Sequence, residues 1–317
     1  MSAEPAPTAR RRWLILAVGA VVLAVLVVLG ARVLRFSEAG EAFIGTYSGA
    51  APQLAGTPVG FPAWAAWQHG LNAVFLLLTV RSGWRIHRAG RPSTFWTRRN
   101  DGRIRTRNPP IRIAIDLWSH FVADTLWVLN GVLFVVLCAV SGHWARIVPT
   151  DWAVVPQAVS AALQYASFAW PTEDGWVDYN ALQQLSYFVV VYVAAPVAVV
   201  TGLRCAPGFA ARLRFLDARF PLRSSKAVHW WTMWFLVAFT AVHVFLVLAT
   251  GALRNLNHIY AGRDDQSPAG LIVFAVSLVL TAALVAVLRP PVVRWAAART
   301  GTVLNRPPRT LRAPSQP

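Results

Sequence analysis

The chain has 317 residues, of which 56% are hydrophobic and only 14% charged, and its mean hydropathy is +0.47. A soluble domain averages about 25% charged residues, so this balance excludes an ordinary soluble enzyme and points to a bilayer. The net charge of +17 would suggest nucleic acid in a soluble chain, but the placement of the basic residues removes that reading.

A bilayer-crossing helix needs about 20 mostly apolar residues, and six stretches meet that need. Residues 1–12 form a basic tail. Residues 13–31 carry no charge. RRRWLILAVGA has the basic start of a signal peptide, but its apolar run is long and no small-residue cleavage site follows. A retained N-terminal transmembrane helix is therefore expected. Residues 32–63, with the Pro/Gly-rich SGAAPQLAGTPVGFP, read as an external loop. The next four spans, 64–80, 113–142, 184–203 and 227–250, make a four-helix core over 64–250. The first of them contains Gln68, His69 and Asn72; Pro196 is expected to kink the third. Between the second and third lies an external segment, 143–183, with Asp151, Glu173, Asp174 and Asp178, and VVPQAVSAALQYASF in it reads as a short surface helix. Residues 251–269 form another external loop and 270–288 the sixth transmembrane helix. The tail 289–317, rich in Pro and Arg, is expected to be disordered. No internal repeat and no soluble domain is visible. The expected fold class is an all-α membrane protein, a six-transmembrane-helix bundle.

Basic residues set the orientation. Of the 30 Lys and Arg, 25 lie in 1–12, 81–112, 204–226 and 289–317, and 5 (Arg32, Arg35, Arg146, Arg254 and Arg263) lie elsewhere. Cytoplasmic loops carry the excess of Lys and Arg, so both termini are expected in the cytoplasm, N-in and C-in, with the chain multi-pass in a bacterial cytoplasmic (inner) membrane. The large charge is thus a topology signal, and no nucleic-acid partner is expected. Trp13, Trp64, Trp67 and Trp295 sit near span ends, as interfacial tryptophans do. Cys138 and Cys205 are the only cysteines. They offer no disulfide framework and no C-x-x-C-H for covalent haem.

Four of seven histidines fall within spans, where ionisable groups are costly and mark function. The stretch HWWTMWFLVAFTAVH begins at His229 and ends at His243. Fourteen steps at 1.5 Å cover about 21 Å, and at 100° per step both rings project from nearly one face. Topology then matches levels: His69 with His243 near the exterior, and His120 with His229 near the cytoplasm. Each pair suits one flat ligand clamped between two imidazoles, as in haem b. Zinc or copper suits it less, because such ions take three or four ligands. A bundle merely held by polar contacts stays open. Asp116, His120 and Asp124 share one helix face; Asp124 reads as an acceptor orienting His120, as a proton carrier to a quinone, or as a helix contact. Arg112, Arg223 and Lys226 at the inner rim, and Arg146 and Arg254 at the outer, are candidates for haem propionates. His87, His143 and His258 read as surface residues.

WQHGLNAVFLLLTVRSG, LWSHFVADTLWVLNG, YNALQQLSYFVVVYVAAPVAVVTGLR and the fourteen-residue histidine pair together resemble the bacterial cytochrome b-561/nickel-hydrogenase cytochrome b family, over about residues 64–250. That family includes membrane subunits of hydrogenase, formate dehydrogenase and thiosulfate reductase. The resemblance implies two haems b, with His69, His120, His229 and His243 as iron ligands. It also implies a subunit that links the quinone pool to a catalytic molybdopterin, iron–sulfur or nickel–iron partner. The extra first span and the arginine-rich 81–112 depart from the family pattern, and the extra span makes the helix of His69 enter from the outside. Two other classes stay in view: a self-contained membrane oxidoreductase of superoxide or ferric reductase type, and a transporter using the histidines as a relay. The absence of repeats counts against the transporter.

Overall fold

The computed structural model describes residues 9–101, 105–171, 174–212 and 214–305. In chain order, the elements begin with α1 (Ala9–Arg35), α2 (Glu38–Thr46), α3 (Ala63–Arg88), β1 (Thr94–Arg98), β2 (Arg112–Ala114) and α4 (Ile115–Ser141). Then come α5 (Val154–Ala166), α6 (Ala181–Phe188), α7 (Ala195–Cys205), α8 (Pro207–Arg212) and α9 (Leu222–Ala249). The last are α10 (Ala252–Leu256), α11 (Ala269–Val287), α12 (Pro290–Thr300) and β3 (Gly301–Asn305).

Among the described residues, five helical stretches are long and apolar enough to cross a bilayer: Arg11–Arg35, Ile115–Ser141, Ala181–Cys205, Leu222–Ala249 and Ala269–Val287. α3 covers the remaining expected span. It has 26 residues, about 39 Å at 1.5 Å each, but it is less apolar than the five. Its polar side is used in packing: Trp127 Nε1 donates to Asn72 Oδ1 at 2.8 Å, and Asn130 donates to the Gln68 carbonyl at 3.3 Å.

The chain divides into two compact units, residues 1–59 with 141–190, and residues 60–140 with 191–317. In the first, α1 is apolar around its whole circumference, as befits a helix in lipid. Ser37 caps α2, its Oγ accepting from the Gly40 N–H at 3.1 Å. α5 is the short helix expected in the external segment. It packs on α6 around Ala51, Val154, Ala158 and Ala181, and α6 starts with a reciprocal cap between Asn180 and Gln183. Glu173, one of the four acids expected in this segment, lies outside the described residues.

In the second unit α7 packs along α9. Just before α7, Val189–Ala194 winds as a π-helix. Pro196 has no N–H to continue the α ladder, and the wider turns ahead of it absorb the mismatch.

Two expectations are corrected. The chain is not wholly helical: β1 lies between β2 and β3 in an antiparallel three-stranded sheet. TFWTR consists mostly of β-favouring Thr, Phe and Trp, and Trp96 anchors it by donating Nε1–H to the Ala297 carbonyl at 3.1 Å. The tail is ordered as α12 and β3 through Asn305, because β3 satisfies its backbone against β1; residues 306–317 lie outside the described residues. The segment 251–269, expected as an external loop, contains helical turns of its own. α9 ends at Ala249, and Gly251, whose φ of 143° suits glycine, turns the chain into α10. α10 and a π turn, Asn257–Ala261, then fold back on α11 and α3. Asn257, fully buried, donates to the carbonyls of Asp265 and Ser267 and accepts from the Gly270 N–H.

Candidate functional site

The histidines come together within the second unit. The rings of His69 on α3 and His243 on α9 lie 6.1 Å apart between centroids, tilted by 59°. Those of His120 on α4 and His229 on α9 lie 6.3 Å apart and nearly perpendicular. The fourteen-residue spacing on α9 separates the pairs by about 21 Å along its axis.

The inner pair is held from its Nδ1 side. Ser82 Oγ stands 2.9 Å from His120 Nδ1 and Thr201 Oγ1 3.0 Å from His229 Nδ1. Both hydroxyls also donate back to a carbonyl four residues earlier, Ser82 to Leu78 at 2.8 Å and Thr201 to Val197 at 2.6 Å. His229 Nδ1 is in addition 3.2 Å from the Ala198 carbonyl. The residue after each hydroxyl is glycine, and the Cε1 side of the ring comes up against it. A Cβ added at Gly83 would stand 3.3 Å from His120 Cε1, and one at Gly202 3.2 Å from His229 Cε1. Neither Ser82 nor Thr201 was singled out by sequence reasoning; the one available signal is that Ser-Gly and Thr-Gly close the two helices facing these histidines.

Asp124 lies on the other side of the ring, with Oδ2 3.5 Å from His120 Nε2. The partner at Nδ1 of His120 is Ser82, while Asp124 lies at Nε2. Asp116 pairs instead with Arg85 at 2.8 Å. The Arg112 guanidinium stacks 4.1 Å over the Phe95 ring, and Lys226 is exposed on α9 one turn before His229. Arg223 is likewise exposed there. Below the inner pair, His87 stacks on Trp230 at 4.1 Å, with Trp84 and Trp234 around them.

The outer pair is built differently. His69 Nδ1 is buried with no hydrogen-bond partner among the described residues. Tyr260 meets the His69 ring edge-on at 5.6 Å, and Phe239 stacks on His243 at 5.8 Å. Neither outer arginine is free. Arg254 pairs with Asp264 at 2.8 Å. Arg146, buried in the first unit, donates to the carbonyls of Gly175 and Trp176 at 2.7 and 3.1 Å. His258 is not a surface residue: it is 4% exposed, and its Nε2 is 2.8 Å from Asp264 Oδ1.

A family model for prokaryotic cytochrome b561 matches residues 60–261. The chain belongs to that family. It is a multi-pass membrane haem protein of the cytochrome b561 type, a class of membrane subunit that works with redox partners in electron transfer. Among curated relatives, the Azospira oryzae protein described as "Putative protein-methionine-sulfoxide reductase subunit YedZ1" is 25% identical over 205 residues, covering 59% of this chain and 88% of the relative. No solved structure matches the chain.

The residues present fit haem b. The donor set is four imidazoles in two facing pairs, and no group of three or more His, Cys, Asp or Glu gathers anywhere among the described residues to enclose a bare metal ion. His69 Nδ1 is a buried nitrogen left unpaired by protein. The glycine-backed rings of the inner pair would be displaced by any larger residue at Gly83 or Gly202.

Proposed function

We propose that this chain is a di-haem b electron-transfer subunit linking the quinone pool to a partner oxidoreductase subunit, with six spans and both termini in the cytoplasm. The observation that carries the reading is the pairing of four imidazoles at two levels of α9. His69 and His243 would hold one haem, His120 and His229 the other. Bound there, each haem would supply one-electron transfer, with its potential set by its ligands and their hydrogen bonds. The chain's own residues then orient rings, hold protons and exclude water. Asp124, beside the inner pair at Nε2 of His120, is placed to hold a proton exchanged with a quinone on the cytoplasmic side. Lys226, one turn from His229, is the better propionate partner of the inner rim, since the Arg112 guanidinium is engaged with Phe95.

The partner of this reading is a catalytic molybdopterin, iron–sulfur or nickel–iron subunit, docking on the external segment that carries Asp151, Asp174 and Asp178. The relative's designation as a reductase subunit favours a reductase in that place. The test is a reduced-minus-oxidised spectrum of the purified chain with its haem-to-protein ratio. Two b-haems per chain, and co-purification with a redox subunit, are expected. A chain without haem sinks the reading, and one that reduces ferric iron by itself replaces the partner with a self-contained activity.

A further inference from the structure

Two four-residue stretches repeat one arrangement. Ser82-Gly83-Trp84-Arg85 lies near the end of α3 and Thr201-Gly202-Leu203-Arg204 near the end of α7. In each, the hydroxyl meets Nδ1 of an inner histidine, the glycine lies under that ring, and the arginine pairs with an aspartate N-terminal to that histidine. The ion pairs are Arg85 with Asp116 and Arg204 with Asp217. The inner site is thus two copies of one local device, facing each other.

The hydrogen bonds decide the tautomer. A hydroxyl has one proton to donate, and Ser82 and Thr201 donate theirs to Leu78 and Val197. Toward the ring each must accept, so Nδ1 carries the hydrogen. For His229 the Ala198 carbonyl, 3.2 Å from Nδ1, requires the same, since a carbonyl only accepts. His120 likewise has a backbone hydrogen bond with Thr79. Nε2 is left with its lone pair in both rings. A hydrogen bond accepted from the far nitrogen raises the basicity of a ligating imidazole, and a more basic ligand favours the oxidised iron.

Resting on the di-haem reading, we infer that Ser82 and Thr201 are positioning residues that fix both inner imidazoles as Nδ1–H tautomers and lower the reduction potential of the haem between them. His69 Nδ1 has no such hydroxyl partner among the described residues.

The experiment is a redox titration of the purified holoprotein, followed at the b-haem absorption band, with the haem ratio measured on every variant. Two waves are expected. Ser82→Ala and Thr201→Val each move the same single wave to higher potential. Ser82→Thr and Thr201→Ser leave both waves in place. Should Ser82→Ala not retain haem, Ser82→Cys, a weaker acceptor, gives a smaller upward shift on that wave. Thr240→Val removes a hydroxyl of α9 that bonds only its own helix at Leu236, and moves neither wave. The inference is overturned if the Ser82 and Thr201 variants leave both waves unmoved, shift different waves, or shift them no more than Thr240→Val does. An unmutated protein with no haem, or with one, overturns the di-haem reading instead.

Discussion

The inner and outer histidine pairs use the same side chain at similar separation, 6.3 and 6.1 Å between centroids, yet they are supported in different ways. The inner rings are held by neighbours on the facing helices: a hydroxyl at Nδ1 and a glycine against the ring, on each side. The outer rings are covered by aromatics, and Tyr260 reaches His69 only because the segment after α9 folds back over α11 and α3. One site is fixed by hydrogen bonds within the bundle, the other by a cap outside it. The difference teaches that facing histidines can be pre-positioned either atom by atom or by packed side chains that cover them, and that the two ways should fail under different perturbations.

The largest expected effect is loss of a ligand. His229→Ala and His243→Ala should each remove about half of the haem, measured as haem per protein, and each should abolish a different redox wave. Loss of the same wave by both would mean that the two levels are not separate sites. Next comes the glycine floor. Gly202→Val or Gly83→Val forces the ring away from its helix at an overpacking cost of about 1–3 kcal/mol. Inner occupancy should fall while the outer wave persists. Gly202→Ala needs only a slight retreat of the ring from 3.2 Å and should lower occupancy less. A smaller effect is expected from Tyr260→Ala, which uncovers His69: the spectrum of one haem should shift with the stoichiometry kept.

The smallest concerns the cap alone. Hydrogen bonds from Arg254, then from His258, hold the Asp264 carboxyl down to about 2 from its ordinary 3.8. A depressed carboxyl stabilises the folded form fully above its unfolded pKa and ceases to do so as pH falls through the folded one. The cap should therefore be tight above about pH 4 and loosen progressively towards pH 2. Asp264→Asn should loosen it already at neutral pH. Faster hydrogen exchange over residues 257–268, with the inner pair unaffected, is the expected readout.

What the chain discloses by itself follows the same division. Helix period and the distribution of arginine are both written along the sequence, and they suffice to match His69 with His243 and His120 with His229. The supports are less legible. A serine or threonine inside a helix ordinarily bonds back to its own turn, so nothing marks Ser82 and Thr201 until a ring is seen beside them. The repeated Ser/Thr-Gly-x-Arg was readable, but it is far shorter than the periods by which repeats are usually sought. Asp124 shows the limit of periodicity: a four-residue spacing places it on the face of His120 without telling which ring nitrogen it meets. β1 is hidden by the ten arginines of residues 81–112 and by the remoteness of its partner, Thr94 and Asn305 being 211 positions apart. The cap rests on Asn257, whose bonds to Asp265, Ser267 and Gly270 are tertiary.

The small sheet imposes a parity rule. Strands that share hydrogen bonds must lie on the same side of a bilayer, so the chain between β2 and β3 must cross it an even number of times. Four of the five apolar helical stretches, Ile115–Ser141, Ala181–Cys205, Leu222–Ala249 and Ala269–Val287, fall in that interval. Omission of any one of them would strand β3 across the membrane from β1. The sheet can therefore close only on a chain that crosses an even number of times between β2 and β3, a check on insertion that no individual helix provides.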